Sequence, residues 1–330
     1  MRVFTALLLG TALLANTALA AEKKAIRLAH SHQPTMESEE HYPAWIFMNY
    51  VNQHSDTMEV TIHPASSLGS EREIFEAMQL GGGASCMMGG TAILSNFSKR
   101  IAIVDTPFLW ANYEHAHRVF DGKVGQELAK DMEEIGLKVV SWIDSWGYRN
   151  VLTRKPVKTA DDLKGMKIRT IQTPVYIETI NAMGATAVPM AFGEVYSAMQ
   201  TGVIDGLEHG APAVSNMKFY EVGKYFTLTE HLYGPLIWAC SMKMWDGLTK
   251  EERALFEEAV LLAEDVNRGL AKIREDRSLQ GLKEKGVEVV TIDTSAMRAK
   301  AEAIQDKVAE SSGAVDLLQE IRRLRDAPKN

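Results

Sequence analysis

Residues 161–208 read DDLKGMKIRTIQTPVYIETINAMGATAVPMAFGEVYSAMQTGVIDGLE. Residues 166–170 form a short strand-like run that carries Arg169 near its end. Thr173-Pro174 closes that run as a turn, because proline fixes its own φ and has no amide hydrogen to give to a sheet. Helical spacing follows over residues 174–183 and again over 192–201, and residues 204–208 return to a strand entering a turn. Strand and helix therefore alternate, the pattern of a sheet covered by helices.

The same alternation extends outward. Residues 25–29 (AIRLA) read as a first strand, followed by a helical region that includes Ala44, Trp45, Phe47, Met48, Tyr50 and Val51. Residues 58–63 alternate as a strand. Residues 70–80 form a helix with Ile74, Ala77, Met78 and Leu80 inward, Gly81-Gly82-Gly83 is a turn, and SCMMGG is an apolar strand-like run. Further on come one helix over residues 113–135, the strand LKVVSWID, a strand pair around YRNVLT, and the strand-like KYFTLT and PLIWACSMK. Thr249-Lys250-Glu251-Glu252 is a capping box that opens a helical pattern over residues 251–285. Even 30 residues of helix extend about 45 Å, longer than one lobe is wide, so one helix bracing two lobes and two helices broken near Gly281 both fit the pattern.

The chain has 330 residues and a formal net charge of -7. Residues 1–20 combine a basic start, an apolar stretch and an Ala18-Leu19-Ala20 cleavage pattern, which reads as a signal peptide and places the mature protein in the periplasm. Cleavage leaves about 310 residues (330 less 20), enough for two lobes, and removing Arg2 moves the net charge from -7 to -8. No basic cluster interleaved with aromatics is present, which argues against a nucleic-acid partner. Cys86 and Cys240 sit in apolar settings and are expected to be buried free thiols rather than a disulfide.

Catalytic signatures are scarce. The chain has no G-x-S-x-G, H-E-x-x-H, G-x-x-x-x-G-K-[ST] or C-x-x-C motif, so no cofactor and no metal is expected. His30 and His32, like His115 and His117, are two residues apart, not at the i, i+4 spacing that puts two imidazoles on one helical face.

Arg149, in SWGYRNVLT, and Arg169, in GMKIRTIQTP, each lie in strand-like segments. An arginine fork suits a carboxylate because it offers two parallel charge-assisted hydrogen bonds. Pattern alone favours a solvated or structurally paired charge at both positions. The stretch from Asp161 to Glu208 nevertheless resembles the core of the solute-binding proteins of TRAP transporters, the tripartite ATP-independent periplasmic systems. The resemblance rests on Lys-Ile-Arg (167–169), M-G-A-x-x-x-P-M (183–190), F-G-E-V-Y (192–196) and Q-T-G-x-x-D-G-x-E (200–208). HPASSLGSEREIFEAMQLG, DTPFLW and W-G-Y-R extend it from residue 26 to the end of the long helical pattern.

The resemblance implies an α/β clamshell of two lobes that captures a small carboxylate and delivers it to the small and large membrane subunits of a permease. A monocarboxylate with hydroxyls such as a sugar acid fits two arginines with Glu208 and His209, and a dicarboxylate or an aromatic acid stacked among the tryptophans fits almost as well. Lobe I is expected over residues 21–146 and 235–272, and lobe II over 147–234 and 273–330, with C-terminal helices packing across both. Arg169 is the expected partner of the ligand carboxylate, Arg149 assists, Phe192 packs on the ligand, and Glu208 is a polar cleft position. His209 stands where the family frequently has asparagine. Near its ordinary pKa of about 6.5 it would add pH dependence. Thr91 is included among the cleft residues. Trp45, Trp110, Trp146 and Trp238 are candidate wall residues or core. Glu39 and Glu71 are possible acceptors for ligand hydroxyls, although a solvent-facing helix start is the expected role of both. A monomeric receptor without catalytic activity is the favoured reading. The alternatives are a periplasmic enzyme using His209 and Glu208 as an acid-base pair, and an ABC-type or sensor-only binding protein.

Overall fold

The computed structural model describes residues 22–325, so the expected signal peptide lies outside the described residues. Among the described residues eleven strands build two sheets. They are β1 (Lys24–Ala29), β2 (Met58–His63), β3 (Cys86–Gly90), β4 (Leu137–Ser145), β5 (Arg149–Thr153), β6 (Lys167–Thr170), β7 (Thr186–Pro189), β8 (Gly206–His209), β9 (Tyr225–Leu232), β10 (Pro235–Ser241) and β11 (Glu288–Thr291).

The first sheet has the order β2-β1-β3-β10-β4, with β1 parallel to β2 and β3, and β10 antiparallel to β3 and β4. Helices cover it on both faces, so β3 and β10 are buried along their whole length and read as apolar runs, not as alternating strands. The second sheet has the order β11-β9-β5-β8-β6-β7, with β5 antiparallel to β8 and β9.

The chain leaves the first sheet through residues 146–148 and returns through residues 233–234, both shorter than a flexible linker. Gly147 (φ +82°) and Gly234 (φ +62°) take the left-handed conformation there, where a side chain would be strained. The Trp146 amide donates to the Gly234 carbonyl (3.3 Å), tying the two crossings together.

The capping box at Thr249 opens a single 35-residue helix, Lys250–Glu284, which resolves the open choice in favour of one helix about 52 Å long. Gly281 costs that helix only about 1 kcal/mol. Packing outweighs it: Phe256 and Val260 sit in the core of the first lobe, with the Phe47 and Phe256 rings 4.7 Å apart, while Leu282 is buried in the core of the second. Helix Ser295–Ser312 lies against Arg100–Asp105 and Pro174–Ala182, and helix Val315–Arg325 lies against Tyr113–Phe120.

Three expectations are corrected. Leu80, expected inward, is 87% exposed just past the end of the helix Glu71–Gln79. The helix expected over residues 113–135 is two helices, Tyr113–Phe120 and Lys123–Glu134, broken at Asp121-Gly122. A Cβ at Gly125 would lie 1.8 Å from the Phe120 carbonyl oxygen, a close approach that requires glycine. The cysteines are not free thiols: Cys86 and Cys240 form a disulfide across 154 residues. They are direct partners on the antiparallel neighbours β3 and β10, where facing Cα atoms approach closely enough to bridge.

Candidate functional site

The parallel strands β1 and β6 end toward each other across the gap between the lobes, the usual place for a ligand in α/β sheets. There the structure holds a cavity of about 210 Å³, lined from the first lobe by Ser31, His32 and Glu71 and from the second by Arg169, Phe192 and His209, with Trp146 at the crossing.

Strand alternation aims Arg169 into this cavity. Ile168 points the other way into a core cluster, so its neighbour must face the opposite side. The Arg169 guanidinium donates from Nε (3.1 Å) and Nη2 (2.9 Å) to the Met190 carbonyl and lies 5.6 Å from the centre of the Phe192 ring. It is only 3% exposed, and among the described residues it enters no ion pair with a carboxylate. Burial pushes its pKa down to about 10, so it keeps its charge at neutral pH.

Arg149 has the opposite environment. It is fully buried, with Nε donating to Glu208 Oε2 and Nη2 donating to Glu208 Oε1 (3.0 Å) and to the Glu208 carbonyl (3.1 Å). Thr170 Oγ1 donates to the same carboxylate (3.0 Å), and His231 Nε2 lies 3.7 Å from it. Burial alone would raise the Glu208 pKa, but the Arg149 charge overrides it and holds the carboxyl down to about 2.

His209 follows Glu208 on β8 and reaches the cavity. The Gly210 amide donates to its Nδ1 (2.9 Å), so the neutral ring carries its hydrogen on Nε2 and can donate from there. Burial, reinforced by Arg149, His32 and Arg169, pushes its pKa well below the ordinary value. The expected pH dependence near 6.5 is therefore corrected: the ring stays neutral through the physiological range.

The opposing wall is acidic. Glu40 is completely buried. It accepts from the Ser31 and His32 amides (2.9 and 3.1 Å) and from Trp146 Nε1 (2.8 Å). Glu71, the first residue of the helix Glu71–Gln79 capped by Ser70, accepts from Ser31 Oγ (2.8 Å). His32 lies between carboxylates, its Nδ1 3.5 Å from Glu39 and its Nε2 3.9 Å from Glu40. Burial would lower its pKa, but Glu40 and Glu39 outweigh burial and lift it to about 9. The His32 ring stacks 5.1 Å from Phe192 and 6.0 Å from Trp146, so aromatic faces from both lobes meet at the cleft.

Of the residues expected in the site, Arg169, His209, Phe192, Trp146 and Glu71 line the cavity. Arg149 and Glu208 are not among its lining residues and bond to each other. Thr91 is buried elsewhere, donating to Asp105 Oδ2 (2.7 Å). Glu39 and Glu71 are not solvent-facing helix starts: Glu39 is buried behind His32, and Glu71 faces the cleft, because both helix starts point between the lobes. Trp110 and Trp238 pack in cores and Trp45 is 42% exposed, which leaves Trp146 as the tryptophan at the cavity. Sequence reading missed Ser31, His32 and Glu40. The signals in the sequence are the His30/His32 spacing, which speaks to a metal pair, and the adjacent carboxylates Glu39-Glu40, which read as a solvated face or a helix start. His30 instead bonds His41 (3.0 Å). Among the described residues no group of three or more His, Cys, Asp or Glu side chains is arranged to hold a metal ion.

Residues 30–312 match the family described as bacterial extracellular solute-binding protein, family 7. The chain is 33% identical over 284 residues to the 2,3-diketo-L-gulonate-binding periplasmic protein of Escherichia coli K12, covering 86% of this chain and 85% of the relative. A TRAP periplasmic solute-binding protein from Polaromonas sp. JS666, solved bound to D-erythronate, superposes with a TM-score of 0.86 at 30% identity, covering 93% of this chain and all of that one (100%). Another, from Xanthobacter autotrophicus Py2 with bound β-D-galacturonate, gives 0.85 at 27% identity over 90% of this chain and 99% of its own. The chain belongs to the bacterial extracellular solute-binding proteins of family 7, the family of TRAP transporter receptors that its two-lobed fold and cleft resemble.

Proposed function

We propose that the cleft captures a monocarboxylate bearing several hydroxyl groups, a sugar acid, and presents it to the two membrane subunits of a TRAP permease after export to the periplasm. The observation that carries this reading is the Arg169 guanidinium, buried at the cavity and entering no carboxylate ion pair among the described residues. A buried charge with no carboxylate in direct contact is costly, and a ligand carboxylate bonded to it reduces that cost. A second carboxylate is disfavoured. The Arg149 charge is already taken by Glu208, and the facing wall carries Glu71 with Glu40 and Glu39 behind it. Those carboxylates accept hydrogen bonds from hydroxyls and repel a further anion.

His209 Nε2–H adds a neutral donor on the Arg169 side, and Phe192 with Trp146 supplies apolar faces for a sugar ring. The bound sugar acids of the two solved relatives support the same class. An acid-base pair of His209 and Glu208 finds no support, since the two side chains bond to Gly210 and to Arg149, not to each other. A ligand held by both lobes favours the closed state, which lets a permease distinguish loaded from empty receptor. A thermal-shift screen of D-glucuronate, D-galacturonate, D-erythronate and succinate tests the reading, because a ligand of the native state raises apparent stability. Stabilisation by sugar acids and none by succinate is expected. The reverse order refutes it.

A further inference from the structure

The carboxylates of the first-lobe wall form one connected group. Ser31 Oγ donates to Glu71 Oε1 (2.8 Å) and lies 3.3 Å from Glu40 Oε2, so a single hydroxyl links two carboxylates, and His32 lies between Glu40 and Glu39. The charged and titratable groups around this cluster come from several elements; Arg72, beside Glu71 at the cavity, is exposed and pairs with Glu76 (2.9 Å). His30 and His32 come from the end of β1, His41 from the helix His41–His54, Arg169 and His209 from the second lobe, and Arg274 from the long helix, where it acts on Glu39. Burial, with the charges of its neighbours, keeps His30 and His209 neutral. Arg149 is committed to Glu208. Three carboxylates thus meet three cations, His32, Arg169 and Arg274, the last shared with Glu37 and Asp144.

A ligand carboxylate set against Arg169 is a fourth anion in the same enclosed volume. Closure of the lobes removes water and strengthens every repulsion inside. The least costly response is protonation of one wall carboxylate. We propose that the cleft binds its organic anion together with one proton from solvent, shared between Glu40 and Glu71 beside His32, so that the receptor closes on a charge-balanced load. The inference rests on the sugar-acid reading above and extends it. Burial has already raised the carboxyls of Glu40, to about 7, and of Glu71 in the empty cleft, so little further change is needed near neutral pH. Because ligand binding takes up a proton, affinity weakens as pH rises.

Titration calorimetry of the full mature chain with D-glucuronate in phosphate and in Tris, buffers of different ionisation heat, measures the protons exchanged. Uptake of about half to one proton per ligand is expected near neutral pH, with affinity weakening by up to about tenfold per pH unit above it. Glu40→Gln and Glu71→Gln should each reduce the proton count, with a thermal melt showing that each variant folds. If either fails to fold, the wild-type buffer dependence decides alone. No exchange, release of a proton, or an unchanged count in both folded variants overturns the proposal even when D-glucuronate binds. If neither D-glucuronate, D-galacturonate nor D-erythronate binds the wild-type chain, the sugar-acid reading fails and this inference fails with it.

Discussion

Two arginines 20 residues apart should respond oppositely to truncation. Arg169→Ala removes a buried cation that enters no carboxylate ion pair in the empty cleft; it leaves behind the Met190 carbonyl and one positive charge fewer opposite Glu71. Relief of the buried charge offsets the lost hydrogen bonds, so the melting temperature should stay within a few degrees of wild type. Ligand affinity should collapse. Truncating one partner of a buried, hydrogen-bonded charge pair costs about 2–5 kcal/mol, roughly a 30- to 4,000-fold weaker Kd at 1.4 kcal/mol per decade. Arg149→Ala strips three donor contacts from Glu208 and leaves that carboxylate buried with Thr170 and His231 alone. An uncompensated buried charge costs about 3–5 kcal/mol. At about 2–4 °C per kcal/mol for a chain of this size, melting should fall by about 6–20 °C. Differential scanning calorimetry and titration calorimetry on the same preparations separate the two effects. An Arg169→Ala variant that binds D-glucuronate like wild type, or an Arg149→Ala variant with unchanged melting, would refute the division of roles.

The Glu208 carboxyl, held down to about 2 against an ordinary 4.5, contributes stability that is complete above about pH 5 and lost as pH falls toward 2. Melts from about pH 6 to pH 3 should therefore show a shallower acid loss in Glu208→Gln, on a lower baseline, than in wild type. Asp105 has the opposite sign. Burial raises it from 3.8 to about 7, against the opposing hydrogen bonds from Thr91 and Tyr176, so wild-type stability declines as pH rises between those values. Asp105→Asn should flatten that decline in a pH series of melts. Reduction of the Cys86–Cys240 disulfide, which closes a loop across 154 residues, should lower stability by about 2–4 kcal/mol, read as a drop in melting temperature with dithiothreitol. His209→Ala deletes the Nε2 donor and should weaken sugar-acid binding about 5- to 100-fold by titration calorimetry, without shifting its pH dependence, because the ring is already neutral.

Much of the fold was legible because the signals are local. The strand Lys167–Thr170 and the capping box at Thr249 depend on backbone chemistry within a few residues and appear where expected, while Thr173-Pro174, expected as a turn, is the N-cap and first residue of the helix Pro174–Ala182. The glycines leave the continuity of the long helix open in the sequence, and packing at both ends decides it. The disulfide is not legible there because β10 reaches β3 only after the chain has built most of the second sheet. The acidic wall was less legible still. Glu39, Glu40 and Glu71 sit at ordinary helix starts, and no spacing within the chain shows that two such starts face the same gap.

The sequence by itself determined the alternation of strands and helices, the position of Arg169 at the end of a strand, and the resemblance that pointed to an organic-anion receptor. Only the tertiary structure decided that Arg149 spends its charge on Glu208 while Arg169 keeps its own for the cleft, and that His209 is neutral with a hydrogen on Nε2. Periodicity reports which face of an element a side chain occupies. Whether a buried charge has a partner depends on residues brought together from 59 positions away, as for Arg149 and Glu208, and on water excluded by a second lobe.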